Sequence, residues 1–107
     1  PENLQKTSGW VVPDLLRQRW ELRLGSSVEL LPTLMSELGA IDIFFHDSDH
    51  SYENMLFEFN AVFHGVKSGG LIISDDVHKN TSFSEFVHTH PLNGIRFFTK
   101  GGAAVLR

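Results

Sequence analysis

Acidic residues gather directly behind two apolar runs of this sequence. Asp47 and Asp49 follow Ile41-Asp42-Ile43-Phe44-Phe45-His46, and Asp75-Asp76 follow Leu71-Ile72-Ile73-Ser74. Carboxylates crowded into one dry site repel one another unless a counter-charge joins them, and oxygen-rich clusters are what hard cations such as Mg²⁺ require. His50 lies three residues after Asp47. Histidine titrates near neutrality and is suited to taking a proton from a substrate hydroxyl. The plainer alternative makes Asp49 or Ser51 the cap of a following helix and leaves Asp75-Asp76 at the start of a solvated loop. A zinc site built from His46, His50 and His78 is a third reading, without the tight ligand spacing that would support it. His46 otherwise reads as a packed or hydrogen-bonded strand-end residue, and His64, His88 and His90 as surface residues near helix ends.

Elements of known period must position these groups. Ile41–Phe45, apart from Asp42, is apolar on both faces and Leu71–Ile73 is continuously apolar, as strands covered by helices on both sides read. Between them Met55, Leu56, Phe59, Val62 and Phe63 form one helical stripe ending at Gly65, followed by a Lys67-Ser68-Gly69-Gly70 turn. Strand, helix and strand at this spacing make a right-handed crossover unit, whose ligands bind beyond the carboxyl ends of the strands. Upstream, Pro13 opens a short helix with an apolar side of Val12, Leu15 and Leu16, and Trp20-Glu21-Leu22-Arg23-Leu24 alternates strictly as a strand with one wet face. Ser26 and Glu29 form a candidate capping box for a helix carrying Leu31, Leu34, Met35 and Leu38, with Pro32 inside it and Gly39 as its stop. Ser82 and Glu85 form a second box, for a short helix with Phe83, Phe86 and Val87 closed by Pro91. Residues Ile95–Lys100 and Ala103–Arg107 flank Gly101-Gly102 as an antiparallel hairpin.

With 107 residues, 41% of them hydrophobic, and nine Phe, the chain has material for a single core and is one domain, residues 1–107. The absence of cysteine excludes disulfides, thiolate metal sites and a cysteine nucleophile. A net charge of −4 with scattered Lys and Arg gives no stripe for a nucleic-acid backbone. No stretch approaches the about 20 apolar residues that span a bilayer, and the start at Pro1 lacks a signal-peptide core, so the expected location is cytoplasmic without membrane attachment.

The segments Ile41–Glu53, carrying Phe45-His46-Asp47-Ser48-Asp49-His50-Ser51-Tyr52, and Lys67–Val77, carrying Gly69-Gly70-Leu71-Ile72-Ile73-Ser74-Asp75-Asp76, together resemble the second half of a class I S-adenosylmethionine-dependent methyltransferase of the O-methyltransferase-like branch. The resemblance implies an α/β fold: the C-terminal part of a doubly wound Rossmann-like domain, about five strands with a C-terminal antiparallel hairpin, flanked by helices. It implies S-adenosylmethionine as cofactor, a small-molecule hydroxyl as methyl acceptor, and Mg²⁺ as a separate option, since many relatives are metal-free. Asp47, Asp75 and Asp76 match the metal ligands of the metal-dependent members, and His50 matches the general base. Gly25-Ser26-Ser27 matches the turn near the adenine, where Ser26 stands in place of a frequent acid and Ser27 is the better match; Asp47 is also carried over to the cofactor.

No Gly-x-Gly pattern precedes Trp20. The family's glycine-rich loop and its ribose-binding acid would fall before Pro1. The chain therefore resembles a truncated carboxyl half, with Pro1 either a processed start or a cut. In the family's strand order 3-2-1-4-5-7-6 the missing strands lie between the one at Trp20 and the one at Ile41, a gap on the order of 10 Å. The expectation is that Trp20–Leu24 pairs either with a non-native neighbour or with another chain, as a homo-oligomer or strand-exchanged dimer. Two alternatives to an active methyltransferase stay open: an inactive module that oligomerises, and a small metal-binding α/β protein.

Overall fold

The computed structural model describes residues 9–96 and 101–106. Helix α1 (Asp14–Arg17) and helix α2 (Ser27–Leu38) precede strand β1 (Ile41–His46), helix α3 (Tyr52–Phe63) and strand β2 (Val66–Ser74). Helix α4 (Ser82–Thr89), strand β3 (Leu92–Arg96) and strand β4 (Gly102–Leu106) complete the order. The strands form one sheet in the order β1-β2-β4-β3. β1 and β2 are parallel, and β4 is antiparallel to both β2 and β3. No described helix is long and apolar enough to cross a membrane.

Register decides what each face carries. Phe44, Ile72 and Ala104 stand in one row and His46, Ser74 and Gly102 in another, and these rows face the helices. Ile72, Ala104, His46 and Ser74 are buried there under Met55, Phe59 and Val62 of α3 and Phe83 and Phe86 of α4. Phe59 meets Phe83 and Phe86 with ring centroids 5.7 and 5.3 Å apart, a geometry that adds to area burial. Tyr52 ties the same helices together: its phenol is raised above its ordinary pKa chiefly by a hydrogen bond to Glu85, with burial adding to the effect.

The alternate rows, Ile43 with Leu71 and Val105 and Phe45 with Ile73 and Ala103, lie on the other face. There Ile43 is 57% and Phe45 59% exposed. The expectation that helices cover both faces thus holds for one face among the described residues, although the sequence is apolar on both.

Four local readings are corrected. Trp20–Leu24 is irregular rather than a strand. Alternation supplies side-chain faces but no ladder partner, and Arg23 instead donates to Glu21 at 2.8 Å and to Glu37 of α2 at 2.6 Å, two bonds that raise its guanidinium pKa further. Lys67-Ser68-Gly69-Gly70 is not a free turn but an excursion inside β2: Ile41 pairs Val66 and Ile43 pairs Leu71, so five steps of β2 oppose two of β1. Helix α4 is not opened by a Ser82 box. Thr81 is its N-cap without a side-chain cap, Asn80 Oδ1 accepts from the Ser82 amide at 2.9 Å, and the Ser82 hydroxyl is buried without a partner. Gly102 belongs to β4, opposite both Arg96 and Ser74, so Gly101-Gly102 is no two-residue turn; Phe97–Lys100 and Arg107 lie outside the described residues.

The upstream helices follow their sequence signals in part. Pro13 precedes α1, yet Leu15 and Leu16 are exposed rather than packed. Ser26 caps α2 by accepting from the Glu29 amide at 3.3 Å, and the helix runs through Pro32 to a stop at Gly39.

Candidate functional site

The parallel pairing of β1 and β2 sets His46 opposite Ser74, so both chains leave the sheet at the same level. The Asp75 amide donates to the His46 carbonyl at 3.0 Å, which extends the ladder one step and holds the two acidic ends together. Asp47, His50, Asp75 and Asp76 consequently converge, each offering a ligand atom within 4.8 Å of the others. These are the residues that the sequence singles out, brought to one rim.

His50 Nε2 lies 3.0 Å from Asp76 Oδ2 and 3.7 Å from Asp47 Oδ1. The same nitrogen is buried and, beyond these carboxylate contacts, has no hydrogen-bond partner. Asp47 is the exposed member, while Asp76 is 14% exposed at its side chain. Asp76 takes φ 52°, a left-handed conformation that Asp tolerates better than most residues. A donor set of carboxylate oxygens with one imidazole suits a hard divalent cation. His46 and His78 are not in this group, so the histidine zinc reading finds no support in it.

Asp49 and Ser51 follow the plainer reading. Ser51 caps α3 by accepting from the Asn54 amide at 3.2 Å, and Asp49 accepts from the Ser51 amide at 3.0 Å. That turn directs Asp47 and His50 to the rim while Ser48 and Asp49 border a cavity of about 550 Å³ on the other side of the loop. Ser26 and Ser27 line the same cavity, with Leu30, Leu31 and Leu34 of α2 as an apolar wall. Asp47 is not part of its lining.

Beneath the cavity lies a buried polar group that the sequence reading did not single out. Glu58 Oε2 accepts from Ser27 Oγ at 2.7 Å, Ser48 Oγ at 2.6 Å and Asn54 Nδ2 at 2.7 Å. His46 Nε2 stands 3.9 Å from the same oxygen, His46 Nδ1 is 3.4 Å from Ser74 Oγ, and the His46 ring meets that of His50 edge-on at 5.6 Å. The expectation of a hydrogen-bonded structural role for His46 holds. Glu58 had a signal: it falls three residues after Met55 and four before Val62, inside the apolar stripe, and a charge there faces the core.

No curated protein matches the chain. The profile of a family described as a methyltransferase domain matches residues 2–77, which span α1, α2, the β1-α3-β2 unit and both acidic strand ends. The rim, the adjoining cavity and the crossover unit that builds them fall within that match, and the chain belongs to the methyltransferase domain family.

Proposed function

We propose that the chain carries the acceptor-side chemistry of an S-adenosylmethionine-dependent O-methyltransferase acting on a small-molecule hydroxyl with divalent-metal assistance. The observation that carries this reading is the convergence of Asp47, His50, Asp75 and Asp76 at the carboxyl ends of the parallel pair. The strand order β1-β2-β4-β3 agrees with the last four strands of the order 3-2-1-4-5-7-6, which supports reading the chain as a carboxyl half.

Asp47, Asp75 and Asp76 would hold the cation, and the buried Nε2 of His50 with no hydrogen bond fits a site built for a further ligand. Such a cation lowers the pKa of a bound hydroxyl, and the cofactor supplies an electrophilic methyl on its sulfonium. The residues of the chain do the remainder. His50 Nε2, 3.0 Å from Asp76 Oδ2 at the rim, takes the hydroxyl proton. Ser26 and Ser27 border the adenosyl side of the cavity, whose lining reaches the rim loop at Ser48 and Asp49. The open sheet face favours a second reading, a module that folds and self-associates without catalysis.

Calorimetric titration with S-adenosylmethionine, with and without Mg²⁺, on a sample of known oligomeric state tests the proposal. Micromolar binding enhanced by Mg²⁺ is expected. Asp47→Ala should remove the enhancement, and His50→Ala should lower methyl transfer by about 10²-fold or more at unchanged cofactor affinity. Absence of binding in both buffers would favour the non-catalytic module.

A further inference from the structure

Two short loops carry the rim residues, and the pair of loops is tied at both ends. At the sheet end the Asp75 amide donates to the His46 carbonyl at 3.0 Å. At the far end Asn80 Nδ2 donates to the His50 carbonyl at 2.9 Å, across 30 residues of sequence. Asp47 and His50 lie on one loop between these ties, Asp75 and Asp76 on the other. The second loop is also folded back on itself: the Lys79 amide donates to the Asp76 carbonyl at 3.1 Å, and Val77 is buried in the core. Asn80 is fixed at its other polar atom too, because Oδ1 accepts from the Ser82 amide at 2.9 Å. A backbone amide can only donate and a carbonyl can only accept, so the two partners together settle which way the Asn80 side chain is turned.

We infer that Asn80 is a positioning residue for the rim: it clasps the His50 backbone to the loop of Asp75 and Asp76 and so keeps imidazole and carboxylates convergent. The inference rests on reading the rim as a divalent-cation site. Three carboxylates on one rim repel one another. Loops joined only at the sheet would separate to relieve that repulsion, and each binding event would then have to close them again. A tie at the far end removes that cost, and neighbours that orient metal ligands in this way typically contribute about 10–100-fold in metal affinity. The contribution is reciprocal, since a contact that favours binding is itself favoured by binding.

Mn²⁺ alone, titrated calorimetrically against the wild type, Asn80→Ser and Gly69→Ala, separates positioning from folding. Serine makes the same turn with the amide two residues ahead, more weakly, but is too short to reach His50. Gly69→Ala strains β2 away from both loops and serves as a variant that is destabilised with the clasp intact. Asn80→Ser should bind Mn²⁺ about tenfold more weakly, and Gly69→Ala should keep wild-type affinity. Equal affinity of Asn80→Ser and the wild type overturns the inference and leaves the cation reading standing. Equal weakening of both variants overturns it as well, because lost stability then accounts for the effect. Absence of Mn²⁺ binding by the wild type overturns the cation reading and the inference with it. If circular dichroism shows Asn80→Ser unfolded, the wild type supplies the readout: exchange of the Asn80 side-chain amide protons, followed by nuclear magnetic resonance, should slow by about tenfold on saturation with Mg²⁺. Unchanged exchange overturns the inference.

Discussion

Asp76 combines a left-handed backbone, φ 52°, with a place among crowded carboxylates. Glycine takes that conformation freely and removes one like charge, so Asp76→Gly should melt at or above the wild type, by up to about 1 kcal/mol in a thermal denaturation. The same variant should bind Mg²⁺ or Mn²⁺ at least about tenfold more weakly by calorimetry, because a ligand is gone. A variant that melts lower without losing metal affinity would assign Asp76 to the fold. The rim residues were legible because each apolar run ends abruptly in acid, and parallel neighbours bring such ends together. Glu58 was legible only as a charge on the core face of α3; its partners depend on that face meeting the start of α2, a tertiary fact that no local pattern records. Ser82 misled for a related reason: a Ser-x-x-Glu spacing marks a helix start, but Asn80 supplies the cap two residues earlier.

At the scale of elements, the excursion in β2 separates two glycine requirements. Gly69 takes φ +81°, and a Cβ added there would meet nothing within 4 Å, so Gly69→Ala faces only backbone strain, about 1–2 kcal/mol. A Cβ on Gly70 would lie 2.6 Å from the Asp42 carbonyl oxygen and 2.8 Å from that of Lys67, atoms that move only with the backbone. Gly70→Ala should therefore cost more, about 2–4 kcal/mol in a urea titration. Equal costs would show that the excursion yields easily. The two glycines read correctly as a break in extended structure, while the ladder resuming on both sides of them required knowledge of β1. Helix α3 was legible throughout, since its stripe from Met55 to Val62 is the core itself. Trp20–Leu24 failed as a strand because a strand is defined by its neighbour, and among the described residues β1 ends the sheet without reaching it.

Among the described residues the molecule is two-layered where its sequence is written for three. Ile43 and Phe45 lie open on the uncovered face, the outer edge of β1 has no strand beside it among the described residues, and Leu22 and Leu24 are exposed at 45% and 71%. Trp20–Leu24 has no strand partner among the described residues, and we propose that it pairs with a second copy, whose segment would add to the β1 edge. Sedimentation should show concentration-dependent dimers for the wild type and monomers for Ile43→Lys/Phe45→Glu, with helical content retained. A wild type that stays monomeric at high concentration would end this expectation. The excursion at Lys67–Gly70 has one more use. It lies at the amino end of the β1-β2 pair, about 20 Å of strand from the acidic rim, and Ser68 is exposed in a chain without cysteine. Ser68→Cys would thus give a sole thiol at the opposite pole, through which the protein could be anchored to a sensor surface with every rim turned toward the solution.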